Sequence, residues 1–528
     1  MAWWDGSVGY EIYLRSFQDS DGDGVGDLEG IRTRLGYLEK LGVDLVWITP
    51  FYPSPGADHG YDVADYTGVD PLFGALEDVE RLVDEAHERD LRVIVDLVPN
   101  HSSDRHPWFQ AARSDPDSPY RDYYVWRDPA PDGGPPNNWV SHFGGPAWTF
   151  DERSGQYYLH LFLPEQPDLN WANPDVADEF DRILEFWFEL GIDGFRIDVA
   201  HAVVHDTEYR DNPLVGDPPE ADAHPSVVFD AYEHRYDQDR PEVLDVYRRW
   251  RSLAERHDAL LLGEVYLLEP SELTRYVADQ DGLHSAFCFP ALRTAWDPED
   301  IRTTLTAAVD AGAGALSWPL SSHDDPRAAT RFGGGESGAR RARAYFALLA
   351  GLPGIPFLYM GDELGLDDGE LAADEVADPV AVRNEGQTGR DGSRTPMIWE
   401  PGDGFGFTAG EPWLPFGRNR SDEQTVAAQR GDPTSHLEAM RALLRARRSL
   451  LDLAAGGSVE WIGGSSVVAY RRGDALVACN VGGAPAVLET GAAVDVLHLT
   501  TPDETAQMDG GTMTVPADTT VYAAVTPG

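Results

Sequence analysis

Arg196 and Asp198 stand two residues apart in GIDGFRIDVAHAV, Gly191 to Val203, an otherwise apolar run. In an extended strand residues i and i+2 share a face, so both charges enter one space. Such a pair is either a buried salt bridge or part of a reactive site. Ionisable residues close other short apolar runs as well: Asp96, Asn100 and His101 in RVIVDLVPNH, Glu264 in ALLLGEV, and His323 with Asp324 in SWPLSSHDD. Acids converging on one mouth repel each other, and chemistry is the main reason to keep them there. Two carboxylates ~5–5.5 Å apart across a sugar can break a glycosidic bond with retention, one attacking the anomeric carbon while the other protonates the leaving oxygen. Asp198 reads as the nucleophile, with Arg196 favouring its ionised form and fixing its direction. Glu264, set among leucines, reads as the acid/base with a raised pKa. Asp324 is left to bind sugar hydroxyls.

The elements that must position these groups alternate. Eight β-rich runs, Gly9–Phe17, Asp44–Pro50, Arg92–Pro99, Gly194–Asp198, Ala259–Val265, Ser285–Pro290, Ala315–Ser322 and Ile355–Gly361, are apolar almost throughout, as strands covered on both faces are. Amphipathic helices separate them. The clearest is Asp175–Leu190, with Asn173 as N-cap, Pro174 in the first turn, a stripe of Val176, Phe180, Ile183, Leu184 and Trp187, and Gly191 to end it. The pattern predicts an α/β fold, a (β/α)8 TIM barrel whose reactive groups gather beyond the C-terminal strand ends. Its first part covers 1–100 and its second 173–453. Between them, 101–172 is too rich in Pro, Gly and Trp and too long for an idle loop, and reads as an inserted subdomain over the mouth. Residues 454–528 turn to alternating patterns such as SVVAYRR and TVYAAV, which predict a C-terminal antiparallel β-sandwich.

The charge balance restricts partners. With 91 Asp and Glu against 41 Lys and Arg, the net charge of -50 repels phosphate backbones and anionic membranes, so neither nucleic acid nor membrane is expected and a small neutral substrate is. A saline cytoplasm, in which an acidic surface stays hydrated, is one explanation for the surplus. The N-terminal stretch MAWWDGSVGYEIYLRSF carries no secretory pattern, and Cys288 and Cys479 suggest neither a disulfide framework nor a zinc site. A cytoplasmic monomer or weak homo-oligomer is the expectation.

Taken in order, DLVPNH, GFRIDVAH, GEVY and SSHDD resemble the four signature regions of the α-amylase superfamily, glycoside hydrolase family thirteen. GYDVADY near Tyr61, GRDGSRTPMIW and EPWLPF resemble its α-glucosidase and oligo-1,6-glucosidase branch. The resemblance spans essentially the whole chain. It implies a retaining exo-acting α-glucosidase acting on small α-glucosides such as maltose, isomaltose or sucrose, with Asp198 as nucleophile, Glu264 as acid/base and Asp324 as transition-state stabiliser. It further implies that His101, His323 and Arg196 line subsite -1, that Asp62 and Arg390 form the pair walling off the non-reducing end, and that Tyr61, Phe143 and Phe162 supply the aromatic lining. Transglycosylating or isomerising relatives, such as sucrose hydrolases and trehalose synthases, share this set; an inactive scaffold or transporter subunit would have lost it. Ser322 departs from the family's usual Asn before the His-Asp pair, and Val199 is similar to the residue found in α-1,6-active relatives.

Two smaller features complete the reading. DSDGDGVGDLE alternates Asp19, Asp21, Asp23 and Asp27 with glycines, with a carbonyl available at Val25, as loops that wrap a hard cation do. The family resemblance implies structural Ca²⁺ there, with Mg²⁺ as the alternative ion, and no organic cofactor. In the insertion, Trp139, Phe143 and Trp148 are candidate sugar-stacking faces at plus subsites.

Overall fold

The computed structural model describes residues 2–220, 223, 225–277, 281–384 and 389–526. Eight parallel strands close into a barrel: β1 (Gly9–Ile12), β2 (Leu45–Ile48), β3 (Arg92–Leu97), β7 (Gly194–Ile197), β8 (Leu260–Gly263), β9 (Ser285–Phe287), β10 (Leu316–Pro319) and β11 (Ile355–Tyr359). The numbers missing from this series belong to the insertion, where β4 (Trp126–Arg127), β5 (Trp148–Asp151) and β6 (Gln156–Leu159) form a separate antiparallel sheet. All eight expected strands are present, and they neighbour one another in chain order around the cylinder.

The barrel interior changes character along its axis. Leu45, Trp47, Ile94, Leu260, Leu262, Phe287, Ile355 and Phe357 pack its lower layers into one apolar cluster. Gly9 is required here because a Cβ would sit 2.2 Å from the Phe357 ring. Two residues further along three strands the same inward face carries Glu11, Asp96 and Arg196, and one step beyond β8 it carries Glu264. The period-2 alternation that builds the core therefore delivers charge to the mouth.

The helix Pro174–Glu189 forms as its sequence dictates. Asn173 accepts from the Asp175 N–H, Pro174 occupies the first turn, and Gly191 takes φ +98° just beyond the end. Its buried face, Val176, Phe180, Ile183, Leu184, Trp187 and Phe188, lies in the main core. Each such side chain contributes about 1.5–3 kcal/mol on burial.

The C-terminal region holds a five-stranded antiparallel sheet of β12 (Val459–Ile462), β13 (Val467–Arg472), β14 (Ala475–Asn480), β16 (Val494–Leu499) and β19 (Thr519–Val525). A second sheet contains β15 (Ala486–Glu489), β17 (Gln507–Asp509) and β18 (Thr512–Val515). Val467, Leu476 and Val521 from the first sheet share one cluster with Leu488, Met513 and Val515 from the second, which is the core of a two-layer sandwich.

The long excursion between β7 and β8 folds back on the insertion: Asn138 Nδ2 donates to Asn212 O at 2.9 Å, Asn137 Nδ2 to Tyr209 O at 3.0 Å, and Trp139 Nε1 to Arg210 O at 2.9 Å. The mouth is thus roofed by two segments fastened together. This arrangement also overturns the stacking role expected of Trp139 and Trp148, which are buried with Leu159, Leu161 and Ala202 in the seam between them.

Candidate active site

Strand pairing fixes the central groups. Asp96 and Arg196 are register partners in β3 and β7, and Arg196 is level with Leu262 in β8. The ladder continues past the strands: Asp198 N–H donates to Leu97 O and Glu264 N–H to Ile197 O, each at 2.9 Å. Asp198 and Glu264 therefore leave adjacent strands at nearly the same height. Arg196 ties them together, with Nη1 at 2.6 Å from Asp96 Oδ1 and from Asp198 Oδ1, and Nη2 at 2.8 Å from Glu264 Oε2. Only one oxygen of each of these two carboxylates is engaged this way; Asp198 Oδ2 and Glu264 Oε1 make no hydrogen bond among the described residues.

Val199, directly after Asp198, adopts φ +41°, a left-handed conformation that a β-branched residue rarely takes. The turn aims its N–H at Glu264 Oε2, 2.9 Å away. The left-handed turn after Asp198 thus helps orient the Glu264 carboxylate.

Burial dominates the proton balance. It pushes Asp198 up to about 7 against the opposing pull of Arg196. Burial, with Asp198 and Asp324 adding their repulsion, pushes Glu264 up to about 8. The effect of Arg196 on Asp198 has the expected sign but does not win. Burial raises both carboxyls, so near neutral pH the pair holds protons that isolated carboxyls would have lost. Glu264 is also less apolar in its surroundings than its leucine-rich sequence implied, since Arg196 and Val199 N–H both face it.

Asp324 has the opposite balance. Burial works against its charge, but His323, Arg390 and Arg394 outweigh it and hold the carboxyl well below the ordinary range. Arg394 Nη2 donates to Asp324 Oδ1 at 2.8 Å and Arg390 Nη1 to the same oxygen at 3.0 Å. Ser322 keeps the turn in place, its Oγ accepting from the N–H groups of Asp324 and Asp325 at 3.2 Å. His323 meets Glu11 Oε1 through Nδ1 at 2.5 Å and Tyr61 Oη through Nε2 at 2.9 Å.

The cavity above these groups, about 500 Å³, is lined by Tyr61, His101, Phe143, Phe162 and Arg390 as well as by the three carboxylates. His101 is held by Asn100 Oδ1 at Nδ1, 2.8 Å, and by Tyr61 O at Nε2, 3.1 Å. Arg196 and His323 lie beneath this surface, almost fully buried.

The expected Asp62–Arg390 pair requires correction. Asp62 is completely buried and accepts from Ser54 Oγ at 2.7 Å, Ala57 N–H at 3.0 Å and Asp58 N–H at 3.1 Å. Its carboxylate is spent on the 54–58 turn, and that turn brings Asp58 to Arg390 Nη2 at 2.8 Å. Arg390 is further clamped by Asp378, through Nε at 3.0 Å and Nη2 at 2.9 Å.

Glu11, Asp58, Asp378, Arg394, His142 and His201 were not selected from the sequence as site residues. The spacing of Arg390 and Arg394 in GRDGSRTPMIW was a usable signal for Arg394, because residues i and i+4 share a helix face. Asp378 and Asp58 carry no local signal, since their role depends on loops from different strands.

In the acidic loop, Asp19, Asp21 and Asp27 each offer an oxygen within 4.8 Å of the others. Asp23 stands outside that cluster; its Oδ1 accepts from the Val25 N–H at 2.8 Å. The donors are hard oxygens, which suits Ca²⁺ or Mg²⁺ and not a soft metal. Gly24, at φ +95°, permits the close approach of Glu411 O, which a Cβ would meet at 1.9 Å. Trp413 N–H donates to Gly24 O at 2.9 Å, and the Trp413 ring packs on Tyr13, which stacks on His323. The loop is thereby connected to the layer beneath the cavity.

The chain as a whole is similar to known proteins. The family model described as "Alpha amylase, catalytic domain" matches residues 11–456. A probable alpha-glucosidase of Rhizobium meliloti (strain 1021) is 42% identical over 467 residues, 86% of this chain and 84% of that protein. An oligo-1,6-glucosidase of Heyndrickxia coagulans is 37% identical over 487 residues, 85% of each chain. Among solved structures, the alpha-glucosyl transfer enzyme XgtA superposes with a TM-score of 0.94 at 38% identity, covering 100% of both chains.

Proposed function

From the premise that this chain belongs to the α-amylase catalytic-domain family, a family of glycoside hydrolases, we propose that it is a retaining, exo-acting α-glucosidase releasing one glucose from the non-reducing end of small α-glucosides. The observation that carries the exo reading is the Arg390 bridge. It joins Asp58, after β2, to Asp324, after β10, and to Asp378, after β11, so loops from different sides of the barrel meet across the end of the cavity.

The reaction follows from the free oxygens. Asp198 Oδ2 attacks the anomeric carbon as the bond to the leaving oxygen breaks, and the proton on Glu264 passes to that oxygen. Glu264, now a carboxylate, takes a proton from water, whose oxygen attacks the same carbon and expels Asp198. Two inversions give net retention. Asp324, a third of its side chain exposed, faces the sugar hydroxyls with its charge fixed by two arginines.

A second reading, glucosyl transfer to a sugar acceptor, is favoured by the likeness to XgtA. The two differ in how well water competes at the outer cavity, lined by His142, Tyr266, Arg293 and Val380. A substrate panel of aryl α-glucoside, maltose, isomaltose, sucrose and longer oligomers, with products resolved by chromatography, tests both. Glucose as the main product with an α-anomer burst supports hydrolysis; new oligosaccharides at early time support transfer; release of internal fragments would defeat the exo reading.

A structural Ca²⁺, with Mg²⁺ as the alternative, belongs to this proposal, held by Asp19, Asp21 and Asp27. The ion would brace the loop and take no part in bond breaking. A cytoplasmic location is supported by two buried free cysteines, and no helix among the described residues is long and apolar enough to cross a membrane.

A further inference from the structure

A second cavity, about 290 Å³, opens at the opposite end of the barrel, where the N-terminal segment, the starts of β9 and β11, the helix His436–Ala454 and the end of β13 meet. Its polar lining is basic in a chain whose acids outnumber its cations 91 to 41. Arg447 is 2% exposed; its Nε donates to Ala350 O at 2.8 Å and its Nη1 to Gly6 O at 2.6 Å, while Nη2 has no partner among the described residues. Arg472 leaves Nε unpartnered, and its Nη1 reaches only Gly351 O at 3.5 Å. Neither guanidinium has a carboxylate within ion-pair distance among the described residues. Burial accordingly lowers both arginines, Arg447 to about 10. His284 adds a third donor: its Nδ1 accepts from Leu261 N–H at 3.0 Å, which leaves the proton on Nε2. Among the described residues of the lining Asp5 is the one carboxylate, and its Oδ2 is occupied by the Ala2 N–H at 2.8 Å.

A buried guanidinium without an anion is costly, and its planar fork matches the oxygens of phosphate. We propose that this cavity binds a small phosphate-type oxyanion, held by Arg447 and Arg472 with His284 Nε2–H as a further donor. Arg447 belongs to the last barrel helix and Arg472 to the C-terminal sheet, so the occupant bridges the two units and stabilises their contact. The oxyanion is either free phosphate or the phosphoryl group of a sugar phosphate, for which the volume leaves room.

Isothermal titration of the full chain with inorganic phosphate at constant ionic strength, paired with thermal melts, tests this. The expected result is one saturable site, a Tm that rises more with phosphate than with KCl at matched ionic strength, and affinity at least about tenfold weaker in Arg472→Gln, as loss of a charged hydrogen bond predicts. That variant should keep its aryl-glucoside kcat/KM, being remote from the catalytic mouth. Arg447→Gln also breaks the bonds to Gly6 and Ala350, so Arg472→Gln decides the matter, with its melt in the absence of phosphate as the folding control. A second titration with glucose 1-phosphate identifies a sugar phosphate if it binds more tightly and free phosphate if it does not. Absence of saturable binding, an equal rise with KCl, or phosphate acting only as a competitive inhibitor in both proteins overturns the proposal.

Discussion

Asp198 and Glu264 are joined through the two terminal nitrogens of one guanidinium, Asp198 Oδ1 on Arg196 Nη1 at 2.6 Å and Glu264 Oε2 on Nη2 at 2.8 Å. The planar fork sets their separation and leaves the other oxygen of each carboxylate for the sugar. The two roles proposed for them can be separated by chemistry. Asp198→Gly and Glu264→Ala should each lose on the order of 10²–10⁴ or more in kcat. Added azide should rescue the first as β-glucosyl azide, by direct attack from the vacated face. It should rescue the second as α-glucosyl azide, by attack on the glucosyl enzyme. Rescue with the same anomer in both variants would contradict the assignment.

The same pair sets the pH response. With Asp198 near 7 and Glu264 near 8, the active form carries one shared proton, so kcat/KM should follow a narrow bell with limbs close to those values. Stability has a definite sign as well. Both folded pKa values lie above those of an unfolded carboxyl, so the folded protein binds the extra protons and this pair's contribution falls as pH rises from about 4 to about 8. Glu264→Gln removes its share, and its Tm relative to wild type should climb across that window and then level off. A constant difference from pH 5 to 9 would show that Glu264 titrates normally.

Removing Arg390 should open the closed end of the pocket. Arg390→Ala takes away charge-assisted bonds to Asp58, Asp324 and Asp378, and loss of a bond of this kind costs about 1.5–3 kcal/mol. We expect kcat/KM on maltose to fall at least about tenfold to a hundredfold. We also expect cleavage of oligosaccharides blocked at the non-reducing end, which the wild type should leave intact. Asp62→Asn should act differently, lowering Tm through the 54–58 turn before it alters substrate choice.

Chelation probes the acidic loop. If Asp19, Asp21 and Asp27 hold an ion, EDTA should lower the Tm measured by calorimetry, and Ca²⁺ or Mg²⁺ should restore it according to which ion fits. Asp21→Asn should weaken this restoration. A melt indifferent to EDTA and to both ions would leave the loop as an acidic turn only.

The net charge of -50 makes a prediction that is independent of the site. Self-repulsion among surface carboxylates is screened by salt, so Tm should rise steadily from low to multimolar KCl. A flat response would remove the saline explanation for the acid surplus.

The barrel, its eight strands and the carboxylates at its strand ends were legible in the chain because each rests on local rules. Continuous apolar runs mark strands buried on both faces, and a charge two positions beyond an inward residue must point into the mouth. Arg196 beside Asp198 followed from the same alternation. Sequence alone did not reveal that Arg196 also holds Glu264, that Asp58 and not Asp62 meets Arg390, or that Trp139 and Trp148 seal a seam. Those outcomes depend on loops from different strands arriving at one point, and on which carboxylate is first consumed by its own turn. Periodicity along a chain determines which face a side chain takes; only closure of the barrel determines what stands opposite it.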